Sequence, residues 1–275
     1  MPKLRRTVLT YLLLLAAVMV AIPLARVTLS SDVQAQDWRT ASRAPVGWAP
    51  NPDSYEPAVV QVYSAAAVRW RGAFSDHTWI AVKPKGAPTY TRYEVTGWYL
   101  RRNQNAVQIT TTREPDQRWF GASPKLIQDL RGEEAEAVIK DLPAVVQGYP
   151  YANTYVVWPG PNSNTFIAHI GREIPALRLT MPGNTIGKDF TGWRLIAPTP
   201  SNTGLQISLA GALGVTLAKD EGLEINILGL VIGANPLNLS LTLPSVGRVP
   251  VREDWTGGAH QTKPAQTAAA DGPAP

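Results

Sequence analysis

Thr78-Trp79-Ile80-Ala81-Val82-Lys83-Pro84-Lys85-Gly86-Ala87-Pro88 reads as a strand that runs into a turn. Its first six residues are mostly β-branched, aromatic or aliphatic, and Pro84, Gly86 and Pro88 supply the backbone angles of a reversal. Tyr90 to Leu100 follows with alternating aromatic, β-branched and polar residues, so the two stretches predict an antiparallel hairpin. A hairpin turning near Gly86 and Ala87 brings residues 94 to 96 opposite His77. In that register Glu94 can orient the imidazole, whereas a slip of one residue would put the carboxylate on the other face of the sheet.

Working outward, Val59-Val60-Gln61-Val62-Tyr63-Ser64 predicts a further strand, and Ala106 to Thr112 a third partner for the hairpin. Ser123-Pro124 pairs an N-cap residue with proline at the first helical position, which predicts a helix to about Arg131. Glu133 to Val146 carries Ala135, Val138, Ile139, Leu142 and Val146 at amphipathic spacing, a second helix that Pro143 should kink. Tyr155-Val156-Val157-Trp158 reads as a short strand. Asn162 to Glu173 reads as a helix capped by Asn162 or Ser163 and closed by Pro175. From Thr203 the texture changes to Gly-punctuated β-like runs ending in Leu237-Asn238-Leu239-Ser240-Leu241-Thr242-Leu243, whose strict alternation predicts a half-buried strand. The apolar middle, Leu228 to Ala234, is too short to span a bilayer and is expected to be buried. The fold class is therefore α+β: a mostly antiparallel sheet packed on two or three helices, with a β-rich C-terminal portion.

The remainder of the organisation follows from composition. Lys3, Arg5 and Arg6 precede an apolar run from Thr7 to Ala25, long enough to cross a bilayer as a helix, with the basic end kept cytoplasmic. Residues 1–35 are thus expected to be a signal or a membrane anchor, retained or cut near Val33-Gln34-Ala35. The body should face the periplasm from the inner membrane, or be periplasmic after cleavage. A linker over 36–57, an α+β core over 58–197, a β-rich portion over 198–255 and a disordered tail over 256–275 complete the expected layout. The net charge of +5 resides mostly in the leader, which holds four of the basic residues against Asp32, leaving 22 basic and 20 acidic residues beyond it. That balance gives no footing for nucleic-acid binding.

With no cysteine, the chain offers no disulfide, thiolate metal site or thiol nucleophile. Pro159-Gly160-Pro161-Asn162-Ser163-Asn164-Thr165-Phe166 reads as a loop delivering a hydroxyl onto a helix start, where developing negative charge is favoured. His77 on its strand is the candidate general base for Ser163, Glu94 its orienter, and the amides near Asn164 would polarise an acyl oxygen. Asn162, Asn164, Trp79 and Trp158 are the candidate substrate-binding residues. Ser163 has an equally simple reading as a helix cap, and His77 as a hydrogen-bonded strand residue. His169, more than a turn along the same helix, is expected to pack or face solvent. Glu133, Glu134 and Glu136 are expected on a solvated helix face. Three histidines, one of them His260 in the tail, make a metal site improbable, and no cofactor-binding loop is present.

Asn162-Ser163-Asn164-Thr165-Phe166 resembles the Asn-Cys-x-x-Phe pattern on the nucleophile helix of circularly permuted papain-like proteins. That group includes lecithin:retinol acyltransferase and the PPPDE peptidases and is distantly related to NlpC-type peptidases. The resemblance implies a catalytic His on an upstream strand, the place of His77, and a nucleophile at Ser163. The departure is Ser for Cys, and a hydroxyl must lose its proton during attack and so needs a well-placed base. Residues 58 to 195 are also similar to a bacterial family of unknown function carrying the segments His77 to Trp79, Arg131 to Ala135 and Trp158 to Phe166. Three functions stay open: a Ser/His hydrolase or acyltransferase of the cell envelope acting on an amide or ester, a non-catalytic papain-like relative binding peptide, glycan or lipid, and a structural tethered protein. In each the N-terminal segment makes the membrane the first partner.

Overall fold

The structure, a computed structural model, describes residues 2–30 and 39–251. The expected tail, 256–275, lies outside the described residues. The apolar leader forms helix α1, Pro2–Leu29. Among the described residues it is the one helix long and apolar enough to cross a membrane, a property shared by anchors and signal segments.

The first sheet is built from β1 (Val59–Ala66), β2 (Asp76–Lys83), β3 (Thr91–Val95), β4 (Val107–Thr110) and β5 (Lys125–Arg131), in the order β4-β3-β2-β1-β5. Every neighbouring pair is antiparallel. Two helices follow, α2 (Gly132–Gln147) and α3 (Ser163–Glu173). The strand residues alternate between two apolar layers, as the pleat requires. Val60, Val62, Ile80, Val82, Tyr93 and Val95 form one layer with Val138 and Leu142 of α2 and Phe166, Ile167 and Ile170 of α3. Val59, Tyr63, Trp79 and Ala81 form the other with Tyr90 and Trp119. A fully buried Phe166 or Ile170 is worth ~1.5–3 kcal/mol of transfer free energy, so α3 is held by its apolar stripe rather than by propensity.

Three expectations are corrected here. Lys125–Arg131 is a strand, not the helix predicted from Ser123-Pro124. Seven residues are too few for a stable helix, and pairing with β1 satisfies their backbone instead. Residues 155–158 form no strand; Val156 N–H closes a local loop on the Pro161 carbonyl at 2.7 Å. The described part of the expected linker is not a free tether. Trp48, Ala49 and Tyr55 pack on the second apolar layer, and Asp116 accepts the Trp48 amide at 2.6 Å. Pro143 does lie inside α2.

The second sheet is a seven-stranded antiparallel meander: β6 (Ile196–Pro198), β7 (Gly204–Leu209), β8 (Leu213–Ala218), β9 (Gly222–Ile227), β10 (Leu230–Asn235), β11 (Ser240–Leu243) and β12 (Gly247–Pro250), each paired with its sequence neighbours. Its alternation is clean, but the apolar side faces outward. Gln206, Ser208, Thr216, Glu224, Asn226 and Thr242 are buried, while Leu205, Ile207, Val215, Leu217, Leu223 and Ile225 are exposed. The stretch Leu228 to Ala234, expected to be buried, largely follows suit: Leu228 and Ala234 are exposed, Leu230 and Ile232 are part-exposed, and Val231 turns inward.

The inner face is polar because it docks on a polar partner. Lys188 places its ammonium 2.9 Å from both Asp189 and Glu224. Thr242 donates to Glu224 at 3.1 Å, Asn226 to Asp189 at 2.8 Å, and Ser208 to the Asp189 carbonyl at 2.6 Å. Arg172 of α3 closes the network on the Lys188 carbonyl at 2.6 Å and on Gln206 at 3.0 Å. Burial pushes the Lys188 ammonium down, yet Asp189 and Glu224 hold it above its ordinary range, so the cluster is charged and paired.

Candidate functional site

Strand β2 presents consecutive residues to opposite faces, and this decides the geometry of the sequence-predicted site. His77 faces the tryptophan layer: its ring stacks on Trp119 with centroids 3.8 Å apart and on Trp79 at 5.9 Å. Thr78 faces α3, donating to the Asn164 side chain at 2.9 Å. The hairpin register, with Ile80 opposite Tyr93, puts Glu94 on the His77 side, and the imidazole Nε2 lies 3.3 Å from Glu94 Oε2. The structure thus brings His77 and Glu94 together, and does not bring Ser163 to them. Ser163 begins α3 on the opposite side of the sheet, where its carbonyl lies 3.4 Å from the Thr78 hydroxyl.

The His77 cluster is a buried charge assembly under an aromatic roof. Arg92 donates to Glu94 Oε2 at 2.9 Å, and Arg113 donates to Oε1. The Arg92 guanidinium carbon lies 4.3 Å from the Trp79 ring centroid, a cation–π contact, and its Nε and Nη1 have no hydrogen-bond partner. Burial pushes the Glu94 carboxyl up, but the His77 hydrogen bond and the Arg92 and Arg113 charges overcome it and hold the carboxyl at about 2. Burial pulls His77 below its ordinary range against the opposing pull of Glu94. Burial likewise lowers Arg92, but a guanidinium stays protonated at neutral pH, so the ionised Glu94 sets the state of the pair. His77 is therefore neutral, donates from Nε2 to Glu94, and leaves Nδ1 as its acceptor nitrogen. Arg113 and Trp98 are the partly exposed members of this cluster.

The α3 start, in contrast, is spent on structure. Asn162 is the N-cap: its side-chain oxygen accepts the Asn164 amide at 2.9 Å and the Thr165 amide at 3.2 Å, and the Thr165 hydroxyl oxygen accepts the Asn162 amide at 3.1 Å. Those amides, expected to polarise an acyl oxygen, are already satisfied. The Asn162 Nδ2 donates to the Val157 and Ile186 carbonyls at 3.1 and 3.0 Å. Asn164 donates to Asp76 O at 2.9 Å and to Ile186 O at 2.8 Å. Together they pin the 157 loop, the β2 start and the 186 turn to one helix end. Gly187, at φ +103, permits this approach, since a Cβ there would stand 2.4 Å from the Asn162 oxygen.

The other predicted residues divide between the two regions. Trp79 is buried with its indole N–H on the Pro115 carbonyl at 2.7 Å. Trp158 is exposed and donates to the Leu228 carbonyl at 2.8 Å, bridging to the second sheet. His169 lies 5.3 Å from the Tyr149 ring, a packing role. Glu133, Glu134 and Glu136 are exposed. Sequence reasoning missed Arg92 and Arg113, although Arg92 two residues before Glu94 shares its strand face and was legible by period 2. Arg113 lies beyond β4 and had no such signal. Among the described residues, no group of three or more His, Cys, Asp or Glu converges as metal ligands would.

Residues 57–190 match the model of DUF3750, described as a protein of unknown function. The match begins just before β1 and ends at Phe190, so it spans the first sheet, α2 and α3 and leaves the second sheet outside. It agrees with the resemblance of residues 58 to 195 to a family of unknown function. Neither the curated proteins nor the solved structures include a match, and the papain-like resemblance gains no support from them.

Proposed function

We propose that the chain is a membrane-tethered, non-catalytic envelope module, its body held on the periplasmic surface by α1. The observation that carries this reading is the way α1 is docked. Met19 and Pro23 are buried and Leu15, Ile22 and Arg26 part-buried along one helical stripe, and Arg26 donates to the Ser245 carbonyl in the turn between β11 and β12. A segment serving only for export would have no need of contacts with the finished body. The same docking favours the retained anchor over cleavage near Ala35.

Against an acyl-transfer role stands the separation of its parts. The His77–Glu94 pair has its base tautomer ready but receives no hydroxyl, and Ser163 has capped amides but no base. What remains of the papain-like reading is the alternative of a binding module, for which the body offers surfaces rather than a reactive centre. The test is fractionation of cells expressing the full chain. Retention in the membrane pellet through alkaline carbonate, with the body digested by protease only after the outer membrane is opened, is the expected outcome; release by carbonate refutes the anchor.

A further inference from the structure

The outer face of the second sheet is an unbroken aliphatic surface. Ile196, Ile207, Val215, Ile225 and Ile232 are successive cross-strand partners in one row. Leu205, Leu217, Leu223, Ala234 and Leu241 form the next. With seven strands ~4.8 Å apart and five residues at ~3.3 Å each, the face measures roughly 29 by 17 Å, on the order of 500 Å² in projection. The accessible area of its side chains is larger than that projection, whereas the largest apolar patch of a typical soluble monomer is ~300–600 Å². The inner face cannot exchange places with it, because its polar groups are engaged by Lys188, Asp189 and Arg172. The chain outside the described residues has little to cover it: 252–275 holds one large apolar residue, Trp255, and 31–38 holds Val33 and Trp38.

Resting on the reading of α1 as a membrane anchor, we propose that this face lies on the phospholipid bilayer itself. The α1 docking is what selects lipid over a second copy of the chain. Arg26, three residues before the end of α1, donates to the Ser245 carbonyl in the β11–β12 turn, so a membrane-spanning α1 holds that end of the sheet at the bilayer surface. Apolar-out and polar-in is the alternation of a lipid-facing strand. Trp193, 97% exposed beside β6, and the exposed Arg194 and Lys219 are the residue types that favour the headgroup level.

A cysteine-free chain makes the test direct. Single variants Leu217→Cys and Ile225→Cys on two strands of the face, Ala16→Cys in α1 and Lys85→Cys in the β2–β3 turn are labelled with an environment-sensitive fluorophore. The full chain is reconstituted in phosphatidylethanolamine–phosphatidylglycerol liposomes, with and without nitroxide-bearing acyl chains. Loss of emission to the nitroxide lipid at residues 217, 225 and 16, but not at 85, is the expected result. Quenching at 16 with the face labels reached only by aqueous iodide overturns the inference and leaves the anchor standing. No lipid quenching at 16 overturns the anchor and, with it, this proposal. Face labels shielded from both quenchers, together with a disulfide-linked dimer of Leu217→Cys, make a second copy the occupant and also overturn it.

Discussion

Replacing Glu94 by Gln removes one negative charge from a site where Arg92 is fully buried and where Arg113 and His77 also converge. A carboxyl held at about 2 against an ordinary 4.5 corresponds, at ~1.4 kcal/mol per tenfold, to about 3 kcal/mol of stability. The independent expectation for breaking a buried ion pair from one side is ~3–5 kcal/mol, because the partner guanidinium is left uncompensated. Glu94→Gln should therefore lose about 3 kcal/mol at pH 7, read by urea unfolding followed through Trp fluorescence, Trp79 and Trp119 being part of the cluster. The folded carboxyl titrates below the unfolded one, so its contribution is fully present above pH ~4.5 and disappears as pH falls through about 2. The gap between wild type and variant should accordingly close in acid. Arg92→Met added to Glu94→Gln should recover part of the loss, since it removes the orphaned charge. A gap under ~1 kcal/mol at pH 7, or one that does not change with pH, refutes the reasoning.

Asn162→Ala should cost ~2 kcal/mol or more in the same assay, beyond an ordinary cap deletion, because the Val157 and Ile186 carbonyls also lose their donor; a change of a few tenths would show the staple to be idle. Ser163→Ala and His77→Ala should leave labelling by a serine-trapping fluorophosphonate at the background of the unmodified chain, and strong labelling abolished by either change would restore the acyl-transfer reading. Gly187→Ala should destabilise by more than ~1 kcal/mol, from strain at positive φ together with the approach to Asn162, checked by the urea midpoint. Lys188→Met should cost ~3–5 kcal/mol by leaving Asp189 and Glu224 buried together without their cation, read from the urea midpoint, and a loss under ~1 kcal/mol would show the cluster to be dispensable.

Strand spacing, the amphipathic α2 and the Asn162 cap were legible because each rests on a local period or a local hydrogen bond. The pairing of His77 with Glu94 was legible too, since a two-residue period and a short turn determine which side chains share a face. That α3 packs on the face of β2 away from His77 was not legible: neither face is marked as the helix side by sequence, each pairing two apolar residues with two polar or charged ones. Lys125–Arg131 was misread because a good N-cap pair precedes it, and only the presence of β1 as a partner makes it a strand. The outward aliphatic face of the second sheet escaped for a similar reason. Alternation reveals that a strand has two unlike sides; it does not say which side meets protein, and a buried Lys188 with two carboxylates reversed the usual answer.

A sheet that zigzags through seven strands, each hydrogen-bonded only to those before and after it, behaves like an extensible panel. One β-hairpin added or removed in the middle of the run changes its breadth by ~10 Å and leaves the register of the remaining pairs untouched. The width of the surface it offers can thus be reset by insertion or deletion so long as the strands that hold Gln206, Glu224 and Asn226 against Arg172, Lys188 and Asp189 are kept.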